Sequence, residues 1–103
     1  ALYEAGIDEE SDRRALAYFD EAIARDPRYA GAHAARARAL VLIGNLYAGH
    51  EERVKAYDAA EVAARQATAL APDFAEGFSA LGFALASGKL DMRGAREPFA
   101  RSY

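Results

Sequence analysis

The stretch ALAYFDEAIARDP, Ala15 to Pro27, decides how the rest of the chain is read. Its small and aromatic residues are spaced Ala15-x3-Phe19-x2-Ala22-x4-Pro27. The same spacing returns in AEVAARQATALAP, as Ala60-x3-Ala64-x2-Ala67-x4-Pro72. It begins a third time as Ala95-x3-Phe99-x2-Ser102. Steps of three and four residues put these groups on one helical face. Alanine is the strongest intrinsic helix former, and its small side chain lets a neighbouring helix come close. Phe19 and Phe99 have the bulk to fill the space between helices. Recurrence at long intervals, 45 residues from Ala15 to Ala60 and 35 from Ala60 to Ala95, marks a repeat architecture, in which each unit buries its apolar face on the next.

The match extends outward from the prolines. Pro27-Arg28-Tyr29-Ala30 aligns with Pro72-Asp73-Phe74-Ala75, and Ala35, Ala39 and Leu40 align with Ala80, Ala84 and Leu85. Before these lies Phe78-x2-Leu81-Gly82-x2-Leu85, with His33-x2-Arg36-Ala37-x2-Leu40 as its earlier counterpart.

These residues resemble the tetratricopeptide repeat (TPR) family, whose unit of about 34 residues is a pair of antiparallel helices. Phe78, Leu81, Gly82 and Leu85 match the family's first-helix pattern, whereas Arg36 stands where a leucine is usual. The resemblance implies an all-α fold, a right-handed α-α superhelix of about two and a half helix pairs. The whole chain, 1–103, reads as one such domain, with repeats at about 1–28, 29–73 and 74–103. It opens and closes in what reads as mid-helix, which suggests a fragment of a longer protein. Ala15, Phe19, Ala22, Pro27, Ala60, Ala67, Pro72, Phe78, Gly82, Ala95 and Phe99 are expected to pack as repeat-signature residues.

Local signals place the elements. Gly6 reads as a helix terminator, and Asp8 or Ser11 as the cap of a helix running to about Asp26, which Pro27 ends. A second helix is expected from Tyr29 to about Ile43, stopped by Gly44-Asn45. A third runs from about Glu51 to Leu70. Asp73 and Glu76 look like a capping box for a fourth, expected to stop near Ser87 at Gly88. Asp91 would then cap a last helix, kinked around Gly94 by Pro98.

Gly44 and Pro72 lie further apart than an ordinary unit allows, by about 11 residues. The surplus falls at Asn45 to Lys55. Quadrupling a loop costs only about 1.2 kcal/mol of closure entropy, so this insertion needs no function to persist. Val54 and Tyr57 continue the apolar side of the following helix; Leu46 and Tyr47 either tuck beneath it or present a contact.

Composition narrows the function. A net charge of −3 argues against non-specific nucleic-acid binding, which needs clustered cations. Without cysteine there are no disulfides or zinc-thiolate sites. No run approaches the roughly 20 apolar residues of a membrane span, and no signal peptide is visible; a cytoplasmic location is expected. The acidic start (Glu4, Asp8, Glu9, Glu10, Asp12) and the basic stretch (Arg25, Arg28, Arg36, Arg38) read as solvated surfaces of opposite sign. His33 reads as a packing residue. His50, beside Glu51 and Glu52, lacks paired metal-ligand spacing. The serines have no histidine base arranged with them, and the glycines form no phosphate loop. No catalytic, cofactor-binding or metal-binding residues are assigned.

In the TPR architecture the first helices of successive units line a groove. The resemblance implies a peptide groove formed by Ala34, Arg38, Val41 and Leu42 with Ser79 and Phe83, apolar apart from Arg38. Ala86 and Ser87 extend it. A peptide with an apolar anchor and an acid would suit it. With neither lysine nor asparagine on these faces, a clamp for a chaperone's terminal carboxylate is not expected. The enlarged turn and the segment Leu90 to Phe99 look like the TPR regions of bacterial regulatory proteins. The expectation is a non-catalytic protein–protein interaction module, the docking or sensory arm of such a regulator. The partner is an unidentified protein or peptide. Two alternatives remain open: a module that joins copies of its parent through exposed solenoid ends, and an accessory segment of an enzyme.

Overall fold

The computed structural model describes residues 6–96. The chain is all-helical there: α1 is Glu9–Arg25, α2 Ala30–Leu46, α3 His50–Leu70 and α4 Ala75–Arg96. Among the described residues there are no strands.

Gly6 has a φ of 82°, the left-handed conformation that ends helices most readily at glycine. Two residues on, the Asp8 side chain caps α1, accepting from the Ser11 N–H at 2.8 Å. Glu9, Glu10 and Asp12 occupy the first turn, where negative charge meets the positive end of the helix dipole. Exposed pairs Glu9–Arg13, Glu10–Arg14 and Glu21–Arg25 follow at i,i+4 spacing.

The turns at the two prolines are copies of each other. Asp26, before Pro27, has φ −141° and ψ 88°; Ala71, before Pro72, has φ −142° and ψ 82°. In each case proline pushes the preceding residue out of the helical region. The N–H of each capping residue still reaches back, Asp26 to the Ala22 carbonyl and Ala71 to that of Ala67. Each turn then closes with one further bond, Tyr29 N–H to the Asp26 carbonyl and Phe74 N–H to that of Ala71, both 3.0 Å. The sequence repeat is therefore also a repeat of backbone geometry.

α2 is the centre of the molecule. It packs against α1, α3 and α4, and α3 also packs against α4. The shared core joins Ala37, Leu40 and Val41 of α2 to Tyr57, Ala60, Ala64 and Ala67 of α3 and to Ala80 and Ala84 of α4. Ala60, Ala64 and Ala67 are fully buried, because α3 lies between two helices. Their counterparts Ala15, Phe19 and Ala22 are only partly buried, since α1 packs chiefly on α2.

Three local expectations are corrected. Gly44 does not stop α2, which continues through Asn45 to Leu46. It is instead a close-approach position: a Cβ there would lie 2.9 Å from Cε1 of Tyr57. Gly88 does not break α4, which runs to Arg96 and takes Asp91, Gly94 and Ala95 into its length. Glycine weakens a helix interior by about 1 kcal/mol but ends a helix only where the backbone turns left-handed, and Gly88 does not. Finally, α4 starts at Ala75, so Asp73 belongs to the preceding turn and caps nothing. Pro98, Phe99 and Ser102 lie outside the described residues.

Candidate functional site

With α2 covered on three sides, only a narrow arc of it meets solvent. Ala34 and Val41, expected to line a groove, are 2 % and 0 % exposed and belong to the core. The open arc carries Arg38, with Ala35 and Leu42 partly buried beside it. On α4, Ser79, Phe83 and Ala86 are exposed and Ser87 is buried. Arg38 and Phe83 occupy equivalent positions in the repeat, on two helices that pack together. Arg36 is bound to Asp20 of α1 at 2.5 Å, so its charge ties α2 to α1. Arg38 has no carboxylate partner among the described residues. What remains exposed of the expected groove on these two helices is the Arg38 guanidinium, the Phe83 ring, 38 % exposed, and the small residues Ser79 and Ala86.

His33 and Phe78, equivalent in the repeat, have opposite environments. His33 is buried, and its Nε2 lies 2.9 Å from the Pro27 carbonyl. The carbonyl can only accept, so Nε2 carries the proton and ties α2 to the preceding turn. Phe78 is 54 % exposed, which corrects its expected packing role. Gly82 also has open space where its side chain would be, and Leu85 is 41 % exposed. α2 has α3 against it, whereas among the described residues no helix follows α4 to cover this face.

The insertion at 45–55 is helical on both sides of a short turn. Residues 44–46 lengthen α2, and His50 to Lys55 lengthen α3. Sequence reasoning missed the polar knot that holds this extension. Asp12 of α1 is completely buried. Its two carboxylate oxygens accept from the Gly6 N–H at 3.0 and 3.1 Å, and one also accepts from the Tyr47 hydroxyl at 2.6 Å. That bond, followed by burial and the charge of Asp12, pushes the Tyr47 hydroxyl from its ordinary 10.0 up to about 12. Arg53 donates to the carbonyls of Gly44 at 3.0 Å and Ala48 at 3.2 Å, the first an acceptor that the end of α2 leaves unpaired and the second in the turn that follows. The Tyr57 hydroxyl donates to Asn45 Oδ1. Arg13 joins Glu52 at 2.9 Å, linking α1 to α3. Leu46 and Val54 stay exposed, so Leu46 does not tuck beneath α3. The one signal in the sequence is position: Tyr47, Arg53 and Asn45 of the knot fall within the stretch 45–55.

An open groove of about 390 Å³ lies between α3 and α4, lined by Tyr57, Asp58, Glu61, Ala84, Leu85, Gly88 and Lys89. It shares no residue with the expected peptide groove. Glu61 is paired with Arg65 at 2.9 Å, and no histidine or serine lines the groove. Among the described residues no cluster of three or more His, Cys, Asp or Glu is placed to hold a metal ion. No helix there is long and apolar enough to cross a membrane. Comparison with models of known protein families, with curated proteins and with solved structures gave no match.

Proposed function

We propose that this chain is a non-catalytic protein–protein interaction module built from TPR-like helix pairs, serving as the docking or sensory arm of a bacterial regulatory protein in the cytoplasm. Three features support the repeat reading. The Pro27 and Pro72 turns share one geometry. The helices pack in the order expected of stacked pairs, with α2 against α1, α3 and α4 and with α3 against α4. The small signature residues of α3 are fully buried.

The observation that carries the binding role is the exposure of Arg38 and Phe83 at equivalent positions of adjacent helices. An exposed guanidinium and an exposed ring on two helices that pack together suit a peptide with a carboxylate beside an apolar anchor. The test is a selection from a random peptide display library on the immobilised chain. Enriched peptides carry Asp or Glu next to Leu, Ile or Phe. A charge-assisted hydrogen bond contributes about 1.5–3 kcal/mol, so R38E weakens their binding about tenfold or more. Enrichment of basic peptides, or binding indifferent to R38E, contradicts the assignment.

A second reading, self-association of the parent protein, is favoured by a separate observation: the uncovered Phe78 and Leu85 on α4. Solenoid ends left open in this way expose apolar surface.

A further inference from the structure

We draw no further inference here: the strongest candidate, the outward face of α4 carrying Phe78, Gly82 and Leu85, is an unpartnered apolar surface already given to the self-association reading, and nothing in the structure shows what covers it.

Discussion

Asp12 is the residue whose environment departs furthest from its sequence context. It sits in an acidic first turn, among side chains that meet water, yet it is buried and accepts bonds from Gly6 and Tyr47. A carboxylate taken out of water is tolerated only when its oxygens are occupied in this way. D12N presents an amide N–H₂ where an acceptor is required. It is expected to lower stability by about 1–3 kcal/mol in urea unfolding, and a change within 0.5 kcal/mol would be too small for a buried charge. The same bond gives Tyr47 a pH signature. Its hydroxyl is raised from 10.0 to about 12 by the hydrogen bond to Asp12, so the folded state favours the protonated form. That contribution is complete below about pH 10 and is lost as pH rises through about 12. The stability difference between the native chain and Y47F should therefore be flat from pH 7 to 9.5 and shrink above pH 10. A difference constant to pH 12 would mean that the bond does not form.

At the scale of the helices, two glycines separate what could be read from what could not. Gly44 and Gly88 both look like helix stops, and both lie inside helices. G44A sets a Cβ against the Tyr57 ring at 2.9 Å, and overpacking of this kind costs about 1–3 kcal/mol. G88A meets open space and is expected to stabilise the fold by about 0.5–1 kcal/mol. Thermal unfolding of the two variants decides the point: a destabilising G88A would restore the turn that the sequence suggested there. The limits of α1 and α3 were legible because their signals are local. Asp8 caps, Pro27 and Pro72 terminate, and each acts within a few residues. Gly44 was misread because its role depends on Tyr57, thirteen positions away in α3. The polar knot was invisible for the same reason, since Asp12 and Tyr47 meet only once α1 and α2 have packed. Phe78 was misassigned because its sequence pattern describes a face, while burial depends on whether another helix lies against it.

For the whole molecule, the alanine-rich core sets the energetic scale. Of the fully buried side chains the largest are Ile43, Val41 and Asp12, and burying a Val or Ile side chain contributes only about 1.5–3 kcal/mol. Stability is thus spread over many small contacts between neighbouring helices, and exposed apolar surface such as Phe78 and Leu85 matters correspondingly more. If the outward face of α4 pairs with another copy, light scattering on the purified chain will show a mass that rises with concentration. F78S/L85S will then hold it at the monomer, and a native mass constant across the series excludes self-association by this face. Of the residues expected to line a groove, Arg38 and Phe83 are exposed, whereas Ala34 and Val41 lie in the core because α2 has three neighbours. The measurement that tests the central claim most directly is fluorescence anisotropy of a labelled peptide from the display selection, titrated with R38E/F83A and, separately, with F78S/L85S, with both folds checked by circular dichroism. The account predicts that R38E/F83A loses binding while F78S/L85S keeps it; binding that survives R38E/F83A in a folded chain would contradict the assignment of Arg38 and Phe83 to the docking surface.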